Sequence, residues 1–200
     1  MEQAGGRSVP GEYSRPLKFH KQPKKYTIMA TEFFKCPICG NVIMKIEDSG
    51  VIPHCCGQEM TRMQAHTADP SDKLDENGNV VGATEKHLPT VERKDDCTVI
   101  VRVGSDPHPM TQLHHICFIW LETAHGGQLR YLSPVEARDE SKAPDCGFAD
   151  KDGKSWQACA EFCGCKDPVT AVYSYCNLHG LWKLEVNEKT SCRTGKCCGK

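Results

Sequence analysis

No stretch of this chain approaches the roughly 18 consecutive apolar residues that a membrane-spanning helix needs. Its start, MEQAGGRSVPGEYSRPLKFHKQPKK, lacks the apolar run of a secretory leader. Neither sign of charge is in surplus: 25 Lys and Arg against 26 Asp and Glu leave a formal net charge of −1. Nucleic acid and anionic membrane surfaces are therefore not indicated as partners. Helical periodicity is missing from the ordered-looking segments as well. The expectation is a cytoplasmic protein with no membrane and no nucleic-acid partner. What the chain has in excess is cysteine, 14 residues, together with 9 histidines. Without a leader, so many cysteines read as thiolates for metal or redox work rather than as a disulfide framework.

At 200 residues and 38% hydrophobic content the chain can bury one ordinary core and one small one. Residues 1–30, rich in Pro, Gly and basic side chains, read as a flexible extension, with Met29 an alternative start. From 31 to 64 the strand-like runs EFFKC, NVIMKI and GVIPHC are separated by turn residues. That segment is too small to fold on apolar burial alone. Residues 65–78 are polar and turn-rich, a linker. From 79 to 187 the runs CTVIVRVGS, HICFIWLET, QLRYLSP, AVYSYC and LWKLEV are β-branched or aromatic and punctuated by turns. The fold expected is all-β, a small metal-binding domain followed by a β-sandwich. A Cys-rich stretch at about 140–168 interrupts the second part, and residues 188–200 form a cysteine-containing tail.

Two constellations carry chemistry. CPIC supplies Cys36 and Cys39, and HCCGQEM supplies Cys55 and Cys56. Four thiolates in two close pairs can surround one tetrahedral ion, whose binding provides folding energy that a small domain lacks. Zinc and iron both accept four sulfurs, so the spacing does not choose between them. The adjacency of Cys55 and Cys56 requires angular distortion if both sulfurs are to reach one ion. The second constellation is dispersed: His87, His108, His114 or His115, and the pair Cys176 and His179 in CNLHG. Four imidazoles and one thiolate exceed the shell of a structural zinc and suit a five-coordinate iron with an open position. His20, His54, His66 and His125 read as surface or packing residues. Cys97 and Cys117, inside strand-like runs, read as buried apolar residues.

These motifs resemble one family, the desulfoferrodoxins, the two-iron class of superoxide reductases. CPICGNV and CCGQEM are similar to its desulforedoxin-like module. EKHLPTVE, HPMTQLHHICFIWLE and CNLHGLWK are similar, in order, to its neelaredoxin-like catalytic module. The resemblance implies a desulforedoxin-like domain and an immunoglobulin-like sandwich. It also implies two irons per chain, one held by Cys36, Cys39, Cys55 and Cys56, where zinc is an alternative. The other is held by His87, His108, His114 and His179, with Cys176 axial. Family spacing from His108 selects His114, and His115 becomes a neighbouring packing or polar residue.

The activity implied is one-electron reduction of superoxide to hydrogen peroxide at that His4Cys iron, whose face opposite Cys176 is open to a small anion. Lys86 would attract and orient the anion, and Glu85 would occupy the sixth position of the oxidised iron. A regular strand would point Lys86 away from its neighbours, so EKH is expected on an irregular loop. A rubredoxin-like electron donor and a homodimer are further implications. Two rival readings stand beside this one: a non-catalytic iron or zinc module for metal binding or electron transfer, and a superoxide dismutase. Outside the resemblance lie Cys146, Cys159, Cys163 and Cys165, readable as a third metal site, two disulfides or a redox-sensitive loop. The tail cysteines Cys192, Cys197 and Cys198 match no ligand motif.

Overall fold

The computed structural model describes residues 31–74, 76, 80–95, 97–134, 157–164 and 167–187. The expected extension and tail lie outside these residues, as do His20, Met29, Cys146, Cys165, Cys192, Cys197 and Cys198. All of the pairing between the strands is antiparallel, with one isolated parallel bridge between His66 and Trp182, and the all-β expectation holds. Strands β1 (Glu32–Lys35), β2 (Val42–Lys45), β3 (His54–Cys55), β4 (Gln58–Glu59) and β5 (Thr61–Arg62) make a three-stranded sheet, β2-β1-β5, and a short hairpin, β3-β4. A ribbon of β6 (Lys73–Leu74) and β7 (Val80–Val81) leads to one helical turn, α1 (Ala83–His87). The remaining strands are β8 (Pro89–Arg93), β9 (Thr98–Val103), β10 (Ile116–Thr123), β11 (Gly126–Tyr131), β12 (Ala158–Cys163), β13 (Val169–Cys176) and β14 (Gly180–Glu185). They form two sheets, β12-β9-β8 and β11-β10-β13-β14.

Alternation along the strands sets the layers. Val99, Val101 and Val103 of β9 point inward at 0% exposure, and Ala158, Ala160 and Phe162 of β12 join them. Across the interior they meet Ile119, Leu121 and Val172 of the four-stranded sheet, which closes a sandwich core. The outer face of that four-stranded sheet is covered too. Phe118, Tyr173, Tyr175 and Leu181 lie there, and Phe33 of β1 packs among them, its ring 5.7 Å from Phe118 and 5.6 Å from Tyr173. Coverage on both faces explains why β13, VTAVYSYC, is buried almost without alternation.

Two expectations change. EKH is no irregular loop: it lies in α1, because the turn lets His87 Nδ1 donate to the Ala83 carbonyl at 2.6 Å. Cys97 is not a plain apolar residue but is disulfide-bonded, as is Cys159. They are not bonded to each other. Cys159 faces Arg102, five residues along the chain from Cys97 and roughly 16 Å away in an extended strand, well beyond disulfide reach. The second half of the Cys-rich stretch is thus a paired strand, β12, carrying one bridged cysteine. The thiol of Cys117 is half-buried, and burial pushes its pKa up.

Within the stretch read as a linker, His66 is tied to β14. The His66 amide donates to the Leu181 carbonyl at 2.8 Å, and the Lys183 amide donates back to the His66 carbonyl at 2.8 Å. His66 thereby acts as a packing residue, its ring 5.1 Å from that of Trp182. His54 is exposed, and exposed His125 pairs with Asp167 at 2.7 Å.

Because Phe33 is the aromatic bridge between β1 and the four-stranded sheet, Phe33→Ala is expected to destabilise the protein by about 3 kcal/mol. Ile46→Ala, at a side chain 89% exposed, should cost under about 0.5 kcal/mol. Urea unfolding of the two variants checks the contrast.

Candidate metal centres

The first centre starts from two turns. After Cys36, the Gly40 amide donates to the Cys36 carbonyl at 3.0 Å, and the Cys36 amide donates to the Asn41 carbonyl at 2.8 Å. This knuckle turns Cys39 back toward Cys36, and the Cys39 amide donates to Cys36 Sγ at 3.5 Å. The second pair hangs on the β3-β4 hairpin. Cys56 takes a left-handed backbone, φ 50°, an unusual conformation for a residue with a Cβ. That twist is the distortion the vicinal pair required: it swings Cys56 so that all four sulfurs lie within 4.8 Å of one another. Cys39 Sγ is 3.6 Å from Cys55 Sγ, and Asn41 Nδ2 donates to Cys55 Sγ at 3.7 Å.

The electrostatics fit a cation. The Cys39 backbone amide, which stabilises a thiolate, leads in lowering the Cys36 pKa to about 6. Crowding has the opposite effect on its neighbours. The thiol of Cys39 heads the causes that raise Cys55 and push Cys56 up to about 12. Four sulfurs so placed ionise together only with a positive charge among them.

The second centre is assembled from three regions of the sandwich. His87 is the last residue of α1, its backbone carbonyl accepting from buried Ser174 Oγ at 2.7 Å. His108 and His114 flank the loop that enters β10. Cys176 ends β13, opposite Ile116, and His179 sits in the turn to β14. The Nε2 atoms of His87, His108 and His114, Nδ1 of His179 and Sγ of Cys176 are mutually close: His87 to His108 is 3.0 Å, His87 to His179 2.9 Å, His114 to His179 3.2 Å and Cys176 to His179 3.5 Å. All five ligand atoms lie within 4.8 Å of one another. His115, by contrast, turns its Nδ1 to the Thr111 carbonyl at 3.0 Å and stays outside this group.

Hydrogen bonds behind the rings decide which nitrogens face inward. His87 Nδ1 donates to Ala83 and His108 Nδ1 donates to the Pro109 carbonyl at 2.5 Å, which leaves each Nε2 as a bare lone pair. Two lone pairs aimed at each other across 3.0 Å fit a shared cation. Burial, first among the causes, lowers the pKa of His87 to about 4 and of His108 to about 3, so both rings are neutral ligands near pH 7. Burial also lowers His114, and it raises the Cys176 thiol, which a bound cation would reverse. His87, His108 and Cys176 form the buried side, while His114 and His179 open toward solvent.

Trp182 and Asn177 support the set, and sequence reasoning assigned neither a role. The Trp182 ring stacks on His87 at 5.0 Å and 14°, and its Nε1 donates to the His179 carbonyl at 3.2 Å. Asn177 accepts from the His115 amide at 2.9 Å and donates to the Leu113 carbonyl at 2.8 Å, pinning the His114 loop to the Cys176 turn. A polar Asn between two ligand positions, and a polar Ser174 inside an apolar run, were the available signals. Glu85 is not part of the ligand cluster, and Lys86 Nζ pairs with Asp106 at 2.6 Å.

The comparisons agree with this geometry. The Desulfoferrodoxin family model matches residues 79–185. The chain belongs to the desulfoferrodoxin family. A desulfoferrodoxin from Nitratidesulfovibrio vulgaris is 33% identical over 154 residues, covering 77% of this chain and 95% of that one. A desulfoferrodoxin homolog from Archaeoglobus fulgidus is 32% identical over 152 residues, covering 76% and 94%. Among solved structures, the superoxide reductase from Treponema pallidum is 25% identical with a TM-score of 0.52, covering 78% of this chain and 98% of that one. The matched stretch, 79–185, contains the His/Cys centre, and no helix among the described residues is long and apolar enough to cross a membrane.

Two outcomes are expected. The folded-state pKa values of His87 and His108 lie below the ordinary 6.5, so under that pH the unfolded chain takes up protons that the folded chain refuses. The metal-free protein should therefore lose stability as pH falls from about 6.5 toward 4, by up to about 1.4 kcal/mol per pH unit for each ring. Urea melts of the chelated protein across that range check the slope. Cys56→Ser should weaken metal retention at the four-cysteine centre at least tenfold while leaving the His/Cys centre loaded, as read by metal analysis after dialysis against a chelator.

Proposed function

We propose that the protein is a superoxide reductase, with His87, His108, His114, His179 and Cys176 holding an iron at which superoxide is reduced to hydrogen peroxide. The observation that carries the reading is the convergence of five ligand atoms, four imidazole and one thiol, within 4.8 Å, buried on one side and open on the other. Bound there, ferrous iron would supply the electron and an electrophilic site for a small anion. The imidazoles stay neutral and the thiolate cancels one charge, so a divalent ion among them presents a single net positive charge that favours superoxide over neutral dioxygen. The Asn177 clamp and the Trp182 stack keep His114, His179 and His87 in place while an anion comes and goes. Each turnover takes one electron and two protons per superoxide and yields one peroxide.

Lys86, beside His87, attracts the anion to the open side. Glu85 stands outside the ligand cluster, so its service as a sixth ligand to oxidised iron requires α1 to shift. Cys36, Cys39, Cys55 and Cys56 hold a second ion, iron or zinc, and when iron it relays electrons. A rubredoxin-like donor, a homodimer and a division into residues 31–64 and 79–187 belong to the same proposal. Its support is the similarity to desulfoferrodoxins over about three quarters of the chain.

The deciding experiment reduces the iron-loaded protein anaerobically, adds superoxide, corrects for spontaneous dismutation and counts products. One peroxide per superoxide with no dioxygen is expected. Half a peroxide with dioxygen release would make the protein a dismutase, and no reaction would leave a metal-binding or electron-transfer module. Cys176→Ser should abolish the thiolate-to-ferric charge-transfer band and slow peroxide formation by about tenfold or more.

A further inference from the structure

The loop Gly104-Ser105-Asp106 is built against the segment that carries Glu85 and Lys86. The Gly104 amide donates to the Leu88 carbonyl at 3.0 Å, and the Ser105 amide donates to the Glu85 carbonyl at 2.8 Å. Gly104 takes φ +77°, and a Cβ there would stand 2.7 Å from the Lys86 carbonyl and 2.8 Å from that of Glu85, an approach that only glycine allows. Buried Gln157 fixes the loop from the other side, its Nε2 donating to the Gly104 carbonyl at 2.8 Å. From this fixed loop the Asp106 carboxylate reaches Lys86 Nζ at 2.6 Å, while both side chains remain nearly half exposed. Lys86 directly precedes one ligand of the His/Cys centre and Asp106 stands two residues before another.

We propose that Asp106 is a positioning residue that tethers Lys86 and tempers the positive field around the His/Cys centre. The inference rests on the superoxide reductase reading for its substrate, but not for its physics, which concerns any small anion. In contact with Asp106, the Lys86 charge is partly offset and its ammonium is held on the 104–106 loop. An arriving anion then meets the centre's own charge and only a reduced share of the attraction that Lys86 supplies. Released, the flexible Lys86 side chain would swing into solvent beside the centre and add its full charge to the approach path. The device limits how strongly competing anions accumulate at a site that must stay open.

The test compares the iron-loaded wild type with Asp106→Asn, Asp106→Glu and Asp106→Asn in a Lys86→Ala background. Azide is the probe of anion affinity at the oxidised centre, and pulse radiolysis gives the rate with superoxide. Asp106→Asn should bind azide about threefold more tightly at low ionic strength, a gain that vanishes near 0.5 M salt. The superoxide rate should rise by a similar factor. Asp106→Glu should stay close to wild type, and the gain should shrink in the Lys86→Ala background, which a purely structural role for Asp106 would not produce. Unchanged or weaker azide binding by Asp106→Asn at every ionic strength overturns the proposal, as does an undiminished gain without Lys86. Should the wild type bind azide yet consume no superoxide, the reductase reading fails, while the azide series still decides the tether.

Discussion

The histidine and cysteine centre depends on one register, the pairing of Ile116 on β10 with Cys176 on β13. A ladder alternates its side chains, so a slip of one residue would send the Cys176 sulfur to the opposite face and carry His179 with it. The shift in pairing between Ile116 and Phe118 lets the chain leave β10 so that His114 reaches the cluster while His115 bonds to Thr111. The other ligands are brought to that fixed point. Buried Ser174, from the middle of β13, holds the backbone of His87, and Asn177 holds the loop of His114. The ligand geometry is thus set by strand pairing and by backbone hydrogen bonds, before any ion adds its own preference.

Burial and charge act together at the two centres, though in different ways. At the four-cysteine centre the sulfurs oppose one another, and the amide-supported thiolate of Cys36 is the natural first anchor for a cation. At the other centre burial keeps the rings of His87 and His108 neutral, so the charge is decided by the ion and by Cys176 alone. The first centre lies beside a small buried cluster of Phe34, Cys36 and Met60, to whose stability a bound ion would add. The second sits in a sandwich that already has its own core.

The residues that the structure gathers into two clusters were legible in the sequence, because soft donors at short spacing leave few chemical alternatives. The sandwich was legible from short β-branched runs separated by turns. Alternation alone could not choose between His114 and His115, since both faces of β10 are apolar; the second face is covered by Phe33 from a distant segment. The helical turn at EKH was hidden because one turn of five residues is too short to show a helical period. The left-handed Cys56 was foreshadowed as distortion, but not as a particular backbone angle. Cys97 was misread because a bridged cysteine at the start of a strand-like run has the same local sequence pattern as a packed one.

The backbone exchange between His66 and the strand of Trp182 has one more effect. The outer side of β14 would otherwise present open amides and carbonyls, a template on which another extended chain can grow. By docking there, the segment that joins the two centres caps the sheet along that margin. Lateral addition of strands is blocked at the margin nearest the ligand turn, and the rings of His66, Trp182 and His87 lie in succession behind the seal. A connecting segment whose composition suggests only length and mobility thus also protects the protein against edge-to-edge self-association.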